Sequence, residues 1–243
     1  MAGRLALITG ASRGLGAAAA VAYAREGAHC ILVARTVGGL EEVDDQIKAL
    51  GGTATLVPLD MTDGPGIDRL GGALYERYGR LDVLLANAAI LGTLSPLGHI
   101  EPKTFEQVLA VNVTANWRLI RSLDPLLRRS DAGRAIFVTS GIAQHPVAYW
   151  GAYAASKAAL DMLVGVYAEE VAHTNLRVNL FNPGPMRTNM RREAFPGEDP
   201  AQQTPPEAHG ESLIQLALPS CTKHGQWVAG DALLERGPPG PHS

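Results

Sequence analysis

The segment that most constrains this chain is its start. Residues 4–9 (R-L-A-L-I-T) form a short apolar run, the pattern of a buried strand. The run breaks at once into T-G-A-S-R-G-L-G, residues 9–16, and residues 17–26 then read as a helix. A strand that turns through glycines into a helix leaves free N–H groups and the positive dipole end at the helix N-terminus. Gly10, Gly14 and Gly16 let the backbone approach a ligand closely, so the turn predicts a phosphate site. The spacing is G-x-x-x-G-x-G rather than G-x-G-x-x-G. The plainer alternative is a tight turn that binds nothing. The ungapped match between a strand and a helix favours the phosphate.

The rest of the chain repeats the alternation. Apolar runs at 29–34, 53–59, 81–85, 135–139, 176–181 and 226–229 predict further strands. Helical patterns lie between them at 41–50, 67–78, 102–127 and 153–172. Such alternation predicts right-handed β-α-β units around a parallel sheet, an α/β fold. Ligands on these sheets bind at the carboxyl ends of the strands. Asp60, Asn87 and Ser140 fall at such ends, so one crevice is expected to collect them. Asn112 lies among Leu109, Val111 and Val113 inside the long predicted helix, which predicts a buried amide with a partner. No repeat or linker divides the chain, so residues 1–243 are expected to form one domain.

The second strand carries information about the ligand. A carboxylate at its end would bind the 2′-hydroxyl of an NAD ribose. The sequence there is Ala34-Arg35-Thr36, and Glu41 comes too late. Arg35 is instead placed to meet a 2′-phosphate, with Arg13 of the glycine turn able to reach the same group. Guanidinium offers paired donors to phosphate, so the expected cofactor is NADP(H) in preference to NAD(H). The bland alternative is that Arg35 is a solvated loop residue.

A second stretch, S-G-I-A-Q-H-P-V-A-Y-W-G-A-Y-A-A-S-K at 140–157, carries the chemistry. Tyr153 and Lys157 stand at i and i+4, side by side on a helix face. A phenol with an ordinary pKa near ~10 is a poor acid-base at neutral pH. A fixed ammonium nearby is expected to pull that value down, letting Tyr153 exchange a proton with a carbonyl or alcohol oxygen. Ser140 is expected to hold the same oxygen. A Tyr-x-x-x-Lys spacing alone is also met in helices where a lysine stem merely covers a ring.

Composition narrows the alternatives. Hydrophobic residues make up 46% and charged residues 19% of the chain, a soluble globular balance. A net charge of −3 gives no electrostatic case for nucleic acid or an anionic membrane. The two cysteines, Cys30 and Cys221, have no framework spacing, and the seven histidines form no ligand cluster. No metal is therefore expected. No signal-peptide pattern precedes the first strand, and the expected location is cytoplasmic. Residues 189–213 are polar and proline-rich, a candidate lid or substrate loop, and residues 237–243 read as a loose tail. Trp150, Met190 and Phe195 are candidates for an apolar wall. Arg191 and Arg192 are candidates for meeting an anionic group, although paired loop arginines are more often a solvated face.

With these motifs in order, the chain resembles the classical short-chain dehydrogenase/reductase family over residues 4 to about 230. The carriers are T-G-A-S-R-G-L-G at 9–16, Asp60, N-A-A at 87–89, Asn112, Ser140, Y-A-A-S-K at 153–157 and P-G-P-M-R-T at 183–188. The resemblance implies a Rossmann-like, doubly wound parallel sheet of about seven strands flanked by helices, a three-layer sandwich. It implies reversible hydride transfer between a nicotinamide and a carbonyl or secondary alcohol. Tyr153 would be the general acid-base, Lys157 would lower its pKa and bond the nicotinamide ribose, and Ser140 would orient the substrate oxygen. Asn112 would hold a water relaying protons to Lys157. The cofactor would lie along Gly10, Ser12, Arg13, Gly14, Leu15 and Gly16, and then Arg35. Asp60 and Met61 would meet the adenine side, with Asn87, Ala88 and Val111 along its path. Pro183, Gly184 and Thr188 would flank the nicotinamide. A homodimer or homotetramer through the helices at 102–127 and 153–172 is also implied.

The chain departs from the family pattern in two places. A-N-A-A at 86–89 replaces N-N-A-G, so Ala89 stands where a glycine is usual and is expected to crowd the ribose. G-D-A-L-L-E-R-G from Gly230 replaces an aspartate-glycine-glycine ending, which puts the last strand in doubt. Within the family, D-A-G at 131–133, W-G-A-Y-A-A-S-K and A-F-P-G-E-D-P resemble a poorly characterised bacterial subgroup. Two other classes remain open: a non-catalytic NADP-binding module, and an epimerase or dehydratase that uses NAD(P) transiently. An enoyl reductase fits less well, since its tyrosine-to-lysine spacing is usually longer.

Overall fold

The computed structural model describes residues 1–230. Seven parallel strands form one sheet in the order β3-β2-β1-β4-β5-β6-β7. They are β1 (Leu5–Thr9), β2 (His29–Ala34), β3 (Thr53–Pro58), β4 (Val83–Ala86), β5 (Arg134–Val138), β6 (Arg177–Asn182) and β7 (Gln226–Ala229). The helices are α1 (Gly14–Arg25), α2 (Val37–Ala49), α3 (Gly64–Tyr78), α4 (Pro102–Leu109), α5 (Ala115–Arg128), α6 (Gly151–Val171), α7 (Asn189–Ala194) and α8 (Gly210–Ala217).

The strand runs are uniformly apolar because the sheet is covered on both faces. Alternation within a strand decides which face each residue serves. Leu5, Leu7, Ile31 and Val33 enter one core with Leu119, Leu123 and Leu160 from α5 and α6. Ala6, Ile8, Cys30 and Leu32 enter the other with Ala19, Tyr23 and Leu40 from α1 and α2. Helix ends follow local chemistry. Asp63 accepts the Gly66 N–H at 2.9 Å to cap α3, Pro65 opens it, and Gly79 closes it at φ 69°.

The two ends of the sheet differ. At the amino ends, buried Arg4 donates to the carbonyls of Asp82 (3.0 Å) and Ala132 (2.7 Å). Buried Arg134 likewise donates to the Pro219 carbonyl at 2.6 Å. That end is sealed. At the carboxyl ends the chain reverses direction across the sheet between β1 and β4, and the strands open into a crevice.

Several expectations shift here. The helix expected over 102–127 is interrupted by a π-turn at Ala110–Thr114, where Ala115 N–H reaches the Ala110 carbonyl. The region expected as a lid contains α7, two 3₁₀ turns and the start of α8, elements too short to leave a period in the sequence. The last strand, in doubt from its sequence, is formed: β7 pairs in parallel with β6 from Gln226 to Ala229. The residues expected as a loose tail lie outside the described residues. No helix among the described residues is long and apolar enough to cross a membrane.

Candidate active site

The crevice at the strand ends has a volume of about 1050 Å³. Its floor at one end is the glycine turn. Gly10 and Gly14 adopt φ of 65° and 57°, a region costly for any side chain. Gly16 serves packing instead: a Cβ there would sit 2.3 Å from the Gly10 carbonyl oxygen and 2.6 Å from Asn87 Nδ2. The turn is tied to β4 from beneath. Asn87 Nδ2 donates to the carbonyls of Thr9 (3.0 Å) and Gly10 (3.3 Å), and Thr9 Oγ1 accepts the N–H groups of Asn87 and Ala88. This cradle admits only glycine and fits a phosphate-bearing dinucleotide at its surface. Ala89 is accommodated without positive φ, since Tyr149 is the one non-glycine residue described with φ above zero.

Ser12, Arg13, Leu15, Ala88 and Met61 line the same end, as do Arg35 and Asp60. Arg35 is well exposed and its Nη1 lies 3.9 Å from an Asp60 oxygen, a loose pairing that leaves its donors available. Asp60 Oδ1 accepts both the N–H and the hydroxyl of Thr62 at 2.8 Å, and the backbone bond is the main cause holding this carboxyl below its usual range. Val111, Pro183, Gly184 and Thr188 continue the lining. Thr188 Oγ1 also caps α7 by accepting the Arg191 N–H at 3.2 Å.

Ser140, Tyr153 and Lys157 meet in the middle of the crevice. Ser140 stands in extended backbone directly after β5. Tyr153 is 8% exposed and Lys157 2%, both on the inner face of α6. Lys157 Nζ donates to the Val138 carbonyl at 2.8 Å and lies 5.6 Å from the Tyr153 ring centre. The expectation that the ammonium brings the phenol down toward neutrality is corrected. Burial pushes the Tyr153 pKa up to about 12, the Ser140 hydroxyl opposes it, and Lys157 does not offset it. Burial likewise lowers Lys157 to about 8, against the pull of Asp161. At neutral pH the phenol is protonated and the ammonium still charged, so the site holds a proton donor facing the crevice.

Asn112 does not line the crevice. Fully buried in the π-turn, it accepts the Ile90 N–H and donates to the Ile90 carbonyl and Ser156 Oγ, all at 2.9 Å. Its own carbonyl accepts Asn116 Nδ2 at 2.8 Å. With its side-chain groups engaged in this way, the amide clamps the loop after β4 onto α6.

At the other end, aromatic rings step outward from the phenol. Trp150 lies 6.0 Å from Tyr153, Phe195 lies 5.7 Å from Trp150, and the Arg191 guanidinium stacks 3.9 Å from the Phe195 ring. Arg191 also donates to both Glu198 oxygens at 2.5 and 2.6 Å. The pair with Glu198 holds the guanidinium over the Phe195 ring. Arg192 remains exposed, bonded to Asn189 Oδ1. Thr9, Ser156, Asp161 and Glu198 were not singled out from sequence as parts of the site. Ser156 sits inside the Y-A-A-S-K motif and donates to the Tyr153 carbonyl at 2.7 Å.

Comparison with known proteins agrees with this geometry. The short chain dehydrogenase family model matches residues 4–199. The uncharacterized oxidoreductase YciK of Escherichia coli K12 is 40% identical over 231 residues, covering 94% of this chain and 86% of YciK. A candidate short chain dehydrogenase of Shigella flexneri 2a str. 301, complexed with NADP, superposes with a TM-score of 0.91 at 36% identity, over 95% of this chain and 98% of that one. Another from Escherichia coli CFT073, complexed with NADPH, gives 0.89 at 37% identity, over 95% and 97%. A family model that matches most of the chain, and a relative 40% identical over nearly all of it, show that the chain belongs to the short-chain dehydrogenase family.

Proposed function

We infer that the protein is an NADP(H)-dependent carbonyl reductase, a single dinucleotide-binding domain catalysing reversible hydride transfer between a nicotinamide and a carbonyl or secondary alcohol. The observation that carries this reading is the buried Tyr153 phenol beside Ser140 and Lys157 in a glycine-floored crevice. A nicotinamide held in the crevice would supply the hydride for the carbonyl carbon. Ser140 donates to the substrate oxygen and fixes its position. Tyr153 gives its proton to that oxygen as negative charge develops there, and Lys157 keeps a positive charge behind the phenol. Asn112 positions rather than reacts: it holds the loop after β4 against α6. Gly10, Gly14 and the N-terminus of α1 would hold the pyrophosphate, while Arg13 and Arg35 would meet the 2′-phosphate. The relatives crystallised with NADP and NADPH support that choice of cofactor. Exposed Trp117, Met162 and Val166 on α5 and α6 support self-association through those helices.

The test is direct titration with NADPH and NADH, followed by a panel of ketones and aldehydes read by loss of NADPH absorbance. NADPH is expected to bind at least about tenfold tighter, and some carbonyls to be reduced. Tight NADPH binding with no turnover across the panel would support the non-catalytic module instead. Product rearrangement without net NADPH loss would support the epimerase class.

A further inference from the structure

The buried lysine poses a problem that the hydrogen bonds already described do not solve. Lys157 is 2% exposed, and its one hydrogen bond goes to a neutral carbonyl, that of Val138. A charge removed from water needs a counter-charge or it is lost. One helical turn further along α6, at i+4 from Lys157, stands Asp161. Tyr153, Lys157 and Asp161 therefore follow one another on a single stripe of α6. Asp161 is not free to swing into solvent. Thr139, between Lys157's acceptor Val138 and Ser140, donates its hydroxyl to Asp161 Oδ1. From β7 the buried indole N–H of Trp227 faces the same carboxylate at longer range.

We propose that Asp161 is a positioning residue of this site: anchored by Thr139, it holds Lys157 in its charged form and its ammonium against Val138. The groups facing Lys157 are few. From its own helix they are Tyr153 and Asp161, and from β5 the Val138 carbonyl. Asp161 is the group that raises the lysine's proton affinity against burial; burial raises the Asp161 carboxyl's own pKa, and the Thr139 hydroxyl and then Lys157 oppose that rise. The short segment 138–140 thus touches all three members of the stripe. Its first carbonyl takes the lysine, its middle hydroxyl takes the carboxylate, and its last hydroxyl faces the phenol.

The inference rests on the reductase reading only for its rate measurement. The chain has four lysines, Lys48, Lys103, Lys157 and Lys223, so carbon-13 labelling at lysine Cε gives a spectrum that single substitutions can assign. In the wild-type chain the Lys157 signal is expected to titrate near pH 8, where burial places it. In Asp161→Asn its midpoint should fall by about one pH unit or more, and Asp161→Glu should restore most of the loss. The alkaline limb of the pH profile for carbonyl reduction should move to lower pH by the same amount. An unchanged Lys157 midpoint in Asp161→Asn, even with a uniform fall in rate, would overturn the proposal and leave Asp161 a structural residue. If Asp161→Asn does not fold, Thr139→Val decides: it keeps the charge, loses the anchor, and should lower the midpoint by about half a unit. An unchanged midpoint there would also overturn it. If no carbonyl is reduced by any variant, the reductase reading fails while the lysine titration still decides this one.

Discussion

The crevice has two ends built in different ways. At the glycine end, the shape is fixed by backbone and by bonds to backbone. Asn87 and Thr9 stitch β1 to β4, and a side chain on Gly16 would strike a carbonyl. At the lid end, the shape is fixed by side chains meeting side chains: Trp150 on Phe195, Arg191 on Phe195, Arg191 on Glu198. A backbone cradle tolerates almost no change and takes one kind of ligand. A side-chain wall can be rebuilt residue by residue without disturbing the sheet. The difference teaches where generic binding ends and selectivity begins, and substitutions at each end should separate accordingly.

The largest effect belongs to the residue that lies between the two. Tyr153→Phe removes the proton donor but keeps the ring packed against Trp150. Turnover should fall by about 100-fold or more, while NADPH affinity stays within about threefold. Steady-state kinetics and cofactor titration check both. Turnover near wild type would mean that the proton comes from elsewhere.

Next comes the glycine end. Gly16→Ala forces a methyl group onto the Gly10 carbonyl and Asn87, and overpacking of this kind costs about 1–3 kcal/mol. Thermal unfolding should drop by several degrees, and NADPH should bind more than about tenfold more weakly. Carbonyl selectivity among the substrates still turned over should not change. Altered selectivity would break the division between the ends. Arg35→Ala is milder, because the side chain is well exposed and its pairing with Asp60 is loose. NADPH affinity should fall by about tenfold and NADH affinity should barely move. Equal losses for both cofactors would remove Arg35 from 2′-phosphate recognition.

The same contrast explains what was legible in the sequence. The glycine end was, because it is made of local demands: apolar runs of strand length and glycines at the turn. The helix itself begins at Gly14 rather than after the turn, since Arg13 already serves as its extended N-cap. What was not legible depends on partners far along the chain. The π-turn at Ala110–Thr114 accompanies Asn112 bonding Ile90 across the crevice wall, which no helical period reveals. The phenol's high pKa comes from the depth of burial around Tyr153, which the i, i+4 spacing with Lys157 does not report. Thr139 with Asp161, and Arg191 with Glu198, pair residues whose meeting depends on where the chain returns.

The smallest effect tests the lid end. Glu198→Gln keeps the size of the side chain and removes the charge that holds Arg191 over Phe195. A loosened Arg191 lets Phe195 drift from Trp150, so the Michaelis constant for an apolar carbonyl should rise by about threefold. NADPH affinity and thermal stability should stay as they are, because none of these side chains holds the glycine turn. The Glu198 carboxyl is held below its ordinary value chiefly by its hydrogen bonds to Arg191. A depressed pKa means that the clamp's contribution is complete above the ordinary carboxylate range and is lost only as pH falls through the folded value. The wild-type Michaelis constant should therefore show no clamp-related change at neutral or alkaline pH, and the variant's difference should shrink in acid. A Glu198→Gln variant that instead loses NADPH affinity would show that the wall also closes on the cofactor. The two ends of the crevice would then be one coupled unit, joined through Thr188, which both lines the crevice and caps the helix bearing Arg191.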